Sequence, residues 1–212
     1  MLSPWLKDGG KNTEKQKVME IITVAEPMSE SELESIRNFL FRIIRREFGF
    51  GYIPEYHRDI IKLEEYYLKP PRNIFLFASQ GGRVIGTLGL RAYDREFEGL
   101  NYDPETTASL WRVFVDEDHR RMGVASRLVE IAEKEAASLG YQRIYLHTHK
   151  YVGGALEFWL SRGYRVTVDT GNELGTVHME KTLSCNSNAL PGSLRKPLNS
   201  HIHSPGPRRF NC

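Results

Sequence analysis

The residues of this 212-residue chain best suited to chemistry are Arg120-Arg121-Met122-Gly123-Val124-Ala125, followed by Ser126 and Arg127. They stand between an apolar run at 110–115 and an amphipathic stretch from Met122 onward, which predicts a tight loop opening a helix. Backbone N–H groups at a helix start have no intrahelical acceptors, and the helix dipole adds partial positive charge there. Small residues at Gly123 and Ala125 let a diphosphate approach those amides, and Arg120, Arg121 and Arg127 add charge around it. The chemistry implied is retention of a phosphate-bearing ligand. The loop is neither Gly-x-x-x-x-Gly-Lys-Ser/Thr nor Gly-x-Gly-x-x-Gly, which argues against a nucleotide triphosphatase and a Rossmann dinucleotide site. The plainer alternative is a strand-to-helix turn whose arginines are simply solvated.

A second segment lies downstream: Gly154-Ala155-Leu156-Glu157-Phe158-Trp159-Leu160-Ser161-Arg162-Gly163-Tyr164. With the first, in this order and with a helix and a strand between them, it resembles the GNAT superfamily of acyl-CoA-dependent N-acetyltransferases. The loop at 120–125 is similar to that family's motif A, Arg/Gln-x-x-Gly-x-Gly/Ala. The segment at 155–164 is similar to its motif B, Ala-x-x-Phe-Tyr-x-x-x-Gly-Phe. The resemblance covers residues 20–183.

The resemblance implies a mixed α/β (α+β) fold: a central, largely antiparallel sheet with a splayed parallel strand pair, flanked by helices. The parallel pair would be the strands at 107–115 and 142–149, with the pantetheine arm of acetyl-CoA entering between them. Phe114 and Val115 would hold pantetheine through their main chain, and the Val113 N–H would face the thioester oxygen. The loop residues Arg120, Arg121, Met122, Gly123, Val124, Ala125 and Ser126 would hold the pyrophosphate. Acetyl-CoA is the implied co-substrate, and no metal is implied.

The implied reaction is direct attack of a neutral primary amine on the thioester. Such an amine is mostly protonated at neutral pH, so a base or water relay is required, and an acid protonates the departing thiolate. The sequence departs from the family twice. Ser109 stands where some members carry a Glu base, and Trp159 stands where a Tyr often serves as the acid. An indole N–H donates a hydrogen bond but no proton near neutrality. His147 and His149 share one strand face by period-two alternation, and an unperturbed histidine titrates near ~6.5, which suits base work. His147 is the candidate base; Tyr164, with Tyr151 as the alternative, is the candidate acid. Asp94, Glu96 and Glu98 offer a place for a cationic substrate, or only a solvated loop tip. Trp111 and Phe158 read as core. A non-catalytic acyl-CoA binder and an anion-binding interaction module are the other functions this pattern accommodates.

These groups must be positioned by the elements around them. A β-branched run at 21–25 predicts a first strand. Helical periodicity from Ser29 to Phe48 places Leu33, Ile36, Phe39, Leu40, Ile43 and Ile44 on one face, with Ser29 or Ser31 as cap. Pro54 opens a second helical stretch to Tyr67 with Ile60, Ile61 and Leu63 apolar, closed by Pro70-Pro71. Strands at 73–79 and 83–92 flank the turn Gly81-Gly82. After the helix at 122–139 come a strand at 142–149, a helix at 153–162, and strands at 164–168 and 176–182.

The length suits one domain at 19–183, preceded by a flexible extension at 1–18 and followed by a disordered tail at 184–212. Hydrophobic content of 40% with 26% charged residues is that of a soluble globular chain, and no apolar run approaches a membrane span. Cys185 and Cys212 have no metal-ligand spacing, and the start lacks a secretory apolar region, which together predict a reducing cytoplasm. The net charge of +2 includes Arg195, Lys196, Arg208 and Arg209 of the tail; without them 25 basic residues face 27 acidic ones. So slight an acidity favours a small-molecule or peptide amine only weakly, and the tail lacks the aromatic interleaving of a nucleic-acid binder. A homodimer is compatible with this reading.

Overall fold

The computed structural model describes residues 19–24, 28–94, 97 and 99–184. The expected extension at 1–18 and the tail beyond Ser184, with both cysteines, lie outside the described residues.

Helix α1 spans Glu30–Phe48 and starts with a capping box: the Glu32 N–H donates to Ser29 Oγ, and the Glu32 carboxylate accepts the Ser29 N–H. Its buried face is Leu33, Ile36, Phe39, Leu40, Ile43 and Ile44, the stripe expected from periodicity. Gly49, at φ 75°, ends it in the left-handed conformation. The next helical stretch differs from expectation. Helix α2 covers only Pro54–Ile61, and after Lys62 the chain makes a π-helical turn at Glu64–Leu68. That extra residue turns Tyr67 fully inward, where its hydroxyl donates to the Asp59 carboxylate at 2.6 Å, while Ile61 faces out at 42% exposure.

Strands β1 (Met19–Val24), β2 (Ile74–Gln80), β3 (Arg83–Ala92), β4 (Thr107–Val115), β5 (Arg143–His149), β6 (Arg165–Asp169) and β7 (Thr176–Thr182) form one sheet in the order β1-β2-β3-β4-β5-β7-β6. Every neighbouring pair is antiparallel except β4 and β5. That parallel ladder runs only from Thr107↔Arg143 to Ser109↔Tyr145, after which the two strands separate. This is the mixed sheet with a splayed parallel pair that the sequence implied.

Helices α3 (Val124–Ser138) and α4 (Ala155–Ser161) complete the chain. Leu128, Val129, Ala132 and Ala136 of α3 and Trp159 of α4 pack with Leu88, Leu90, Ile144, Leu146 and Met179 of the sheet. On the other face, Ile36, Leu40, Ile43 and Ile60 cover Phe75, Phe77 and Val84. Burial of each leucine, isoleucine, valine, methionine or phenylalanine among these contributes roughly 1.5–3 kcal/mol, which holds both helical layers on the sheet. Gly86 sets where α3 starts. A Cβ there would come within 2.9 Å of Val124 Cγ1, so only glycine lets the first turn of α3 rest beside the end of β4. Among the described residues no helix is long and apolar enough to cross a membrane, and no group of three or more His, Cys, Asp or Glu is placed to hold a metal.

Candidate functional site

The separation of β4 and β5 opens a cleft of about 970 Å³. Its β4 wall is shaped by a bulge. Gly89 pairs with Trp111 and Thr87 with Phe114, so β4 carries an extra residue relative to β3. Arg112 takes up the irregularity at φ 51°, a left-handed conformation unfavourable for a residue with a long side chain. It is held there from two sides. The Thr87 hydroxyl donates to the Arg112 carbonyl at 2.8 Å. The guanidinium forks onto Asp59, at 3.0 Å from Nε and 2.6 Å from a terminal nitrogen, and also bonds the Tyr56 carbonyl. Burial works to raise the Asp59 pKa, but the Arg112 bonds outweigh it and hold the carboxyl below its ordinary range. Val113, Phe114 and Val115 follow the bulge and line the cleft on the side where β5 has moved away. Alternate backbone groups of a strand point to opposite neighbours, so this stretch retains hydrogen-bonding capacity toward the gap.

At one end of the cleft lies the start of α3. Arg121, at φ 62°, and Gly123, at φ 81°, turn the chain sharply into the helix, and no side chain caps it. The first amides are therefore left for a ligand, with positive charge around them. Arg120, Arg121, Gly123, Val124, Ala125 and Ser126 all line the cleft; Met122 does not, and is 61% exposed. Arg120 is engaged by Glu47, at 2.5 Å, a cleft residue that the sequence reading missed. Burial tends to raise the Glu47 pKa, yet its bonds from Arg120 and Arg46 leave it lowered.

Other walls of the cleft carry the titratable and aromatic groups. His147 and His149 line it from the end of β5, their rings 6.0 Å apart. The His149 Nδ1 lies 3.2 Å from the Thr176 hydroxyl, and its ring stacks on Tyr151 at 5.4 Å. Burial lowers the His149 pKa and raises that of Tyr151. Phe48, Phe50, Tyr56 and His57 line the cleft from the end of α1 through α2. Trp111 and Phe158, expected in the core, are half-buried and line the cleft as well.

The structure does not bring Tyr164 to this site. It is 2% exposed, packs edge-on against Trp159 at 5.1 Å, and is absent from the lining. Burial, aided by the charge of Glu133, pushes its phenol well above the ordinary range. A candidate acid must reach the cleft, whereas the packing of α4 on the sheet buries Tyr164 at the start of its strand. Ser109 is also buried outside the lining, at the last rung of the parallel ladder. Asp94 pairs with Arg91 at 2.6 Å; Glu96 and Glu98 lie outside the described residues.

His57 was the clearest omission of the sequence reading. One helical turn before Ile60, it belongs to the stripe that continues through Leu63 and Tyr67, all of them buried. A polar residue on an otherwise apolar stripe is the signal that marks it.

Against known proteins, the model of the acetyltransferase (GNAT) family matches residues 37–164. Human N-acetylaspartate synthetase is 29% identical over 109 residues, which are 51% of this chain and 33% of that one. The chain thus spans about a third of the length of that relative. Among solved structures, a GNAT-family acetyltransferase from Staphylococcus aureus Mu50 superimposes with a TM-score of 0.64 at 20% identity, covering 79% of this chain and 100% of that one. A putative acetyltransferase from Salmonella typhimurium with its cofactor acetyl-CoA gives 0.57 at 16% identity, over 83% and 99%. At these identities the likeness to the two structures is one of fold.

Proposed function

Because the chain belongs to the GNAT acetyltransferase family, we propose that it is an N-acetyltransferase moving the acetyl group of acetyl-CoA onto a primary amine by direct attack. The observation that carries the reading is the cleft itself, where a bulged strand edge joins an uncapped helix start to a wall of imidazole and phenol groups. The donor set fits the co-substrate. The amides of Arg121, Gly123, Ala125 and Ser126, with the Arg121 side chain, suit a pyrophosphate. The main chain of Phe114 and Val115 suits the pantetheine amides, and the Val113 N–H suits the thioester oxygen. An oxyanion donor of this kind contributes roughly 3 kcal/mol to a transition state.

Acetyl-CoA, when bound, supplies the activated acyl group. The amine lone pair forms the new C–N bond while the C–S bond breaks. We assign His147 to accept the ammonium proton, directly or through water. We assign Tyr151, and not the buried Tyr164, to protonate the thiolate; burial keeps the Tyr151 phenol protonated, and its ring lies in the cleft. The acceptor is a small-molecule or peptide amine, in keeping with the name of the human relative. A cytoplasmic location belongs to the same reading.

A melting screen tests ligand class first. Acetyl-CoA at a hundredfold excess over its Kd should stabilise the chain by about 2.7 kcal/mol, with NAD and ATP giving far less. A largest shift with ATP or NAD would defeat the reading. Thiol release from acetyl-CoA across a panel of amines then tests turnover. His147→Ala should lower kcat by roughly 10²-fold with acetyl-CoA affinity kept, the usual scale for a lost general base. Wild-type turnover in that variant would pass the base role to ordered water.

A further inference from the structure

The cleft wall built by the end of α1 and by α2 holds a polar group that the acetyl-transfer chemistry above leaves unused. His57 is 3% exposed and lines the cleft. Its Nδ1 accepts the Ile53 N–H at 2.9 Å. The rings of Phe41, Phe50 and Tyr52 surround it at 5.9, 5.9 and 6.2 Å, Phe50 stacked nearly parallel to it. Among the described residues none hydrogen-bonds its Nε2. Burial first, and then the nearby Arg112 guanidinium, lower its ionisation, with Asp59 opposing.

These facts fix what the ring can do. In a neutral imidazole one nitrogen donates and the other accepts. With the Nδ1 lone pair taken by Ile53, the proton sits on Nε2, so the edge left for the cleft is a donor only. His57 therefore cannot take a proton from an attacking amine. The Nε2 atom is not among the buried polar atoms left without a partner, so it opens on the cleft, where a ligand oxygen can take the place of water as its acceptor. The surrounding charge narrows the choice. Glu47 is the one carboxylate among the described lining residues, and Arg120 and Arg46 already bind it. Arg112 and Arg120 are themselves paired with Asp59 and Glu47, so among the described lining residues no carboxylate is left to receive a second cation, whereas the Nε2–H donor of His57 suits an anionic oxygen. Phe50, Tyr56 and Trp111 add aromatic surface to the same cleft.

Building on the acetyl-transfer reading, we propose that the acceptor is an amine bearing a carboxylate close to its nitrogen on an apolar or aromatic body, and that the His57 Nε2–H binds this carboxylate. His57 is then a specificity-determining residue, separate from the proton-transfer groups on β5.

The test follows thiol release from acetyl-CoA with phenylalanine, phenylalanine amide and 2-phenylethylamine, each counted as free base. The wild-type protein should prefer phenylalanine. His57→Phe should raise its KM about tenfold, the equivalent of ~1.4 kcal/mol, and leave 2-phenylethylamine within about twofold. His57→Gln retains an N–H donor and should recover part of the preference. Melting curves and acetyl-CoA titrations establish that both variants fold and bind the co-substrate. A KM increase shared by 2-phenylethylamine would overturn the proposal. An equal increase for the amide would overturn the carboxylate in favour of a carbonyl. If none of the three amines is turned over, N-acetylphenylalanine is titrated into the protein with coenzyme A bound. Binding lost in His57→Phe supports the proposal, and absence of binding to the wild type overturns it. Failure of coenzyme A itself to bind would instead remove the acetyl-transfer reading, and this one with it.

Discussion

Gly123→Glu should abolish acetyl-CoA binding and leave the chain folded. A Cβ at this position meets no other atom within 4 Å, so a side chain can leave the backbone there into open space. The backbone at φ 81° adds a modest strain, about 1–2 kcal/mol for a residue other than glycine. The dominant effect is on the ligand. A carboxylate about 4 Å from a phosphate charge, at an effective dielectric near ~20, is repelled by roughly 4 kcal/mol. That corresponds to about a thousandfold in Kd. Gly123→Ala carries the strain without the charge and separates the two contributions. Calorimetric titration reads both; unchanged affinity in a folded Gly123→Glu protein would take the loop out of the site.

Asp59→Ala should cost about 3–5 kcal/mol of stability, because it strands a buried guanidinium without its counter-charge. The Arg112 side chain is 13% exposed and that of Asp59 6%, so water can replace little of the lost interaction. Thermal unfolding should shift down by roughly 6–20 °C for a domain of this size. Replacing both charges, as in Asp59→Leu with Arg112→Met, should cost less than removing the carboxylate alone. A single-variant loss below about 1 kcal/mol would place the pair in the class of solvated surface bridges. The same pair governs acid sensitivity. The folded-state pKa of Asp59 lies below its unfolded value, so its contribution is complete above the unfolded pKa, about 3.9, and is lost as pH falls through the folded one. Acid unfolding of Asp59→Ala should therefore lack this component of the wild-type curve.

The parts of the fold legible in the sequence are those set by local pattern. The six-residue stripe of α1 and its Ser29 cap, the strand pair around Gly81 and Gly82, and the glycine loop entering α3 are all short-range signals, and all stand as expected. What escaped depends on contacts distant in the chain. The π-turn exists because Tyr67 reaches back to Asp59, and nothing in the run Glu64–Leu68 announces it. The Arg112 bulge requires Thr87, Asp59 and the Tyr56 carbonyl together, from two other elements. Tyr164 and Tyr151 flank the same helix and have similar sequence settings; only the packing of α4 on the sheet decides which of them is buried. His57 carried a local signal, but its value as a donor follows from the Ile53 amide that occupies the other nitrogen.

The seven strands are, mechanically, two sheets sharing a short seam. The ladder between them runs from Thr107↔Arg143 to Ser109↔Tyr145, and beyond Ser109 and Tyr145 the halves diverge like the arms of a fork. What sets the angle of that fork is the apolar wedge beneath it, where Leu90 and Leu110 from one arm and Leu146 and Val177 from the other share a single packed cluster. Hydrogen-bond register is stepwise, whereas side-chain volume varies by single methylenes, and close-packed interiors register even such small changes. The width of the gap is thus a property of residues that never touch it. A larger or smaller side chain at Leu146, which does not line the cleft, would open or narrow the arms and retune acyl-chain length or acceptor girth with every catalytic group in place.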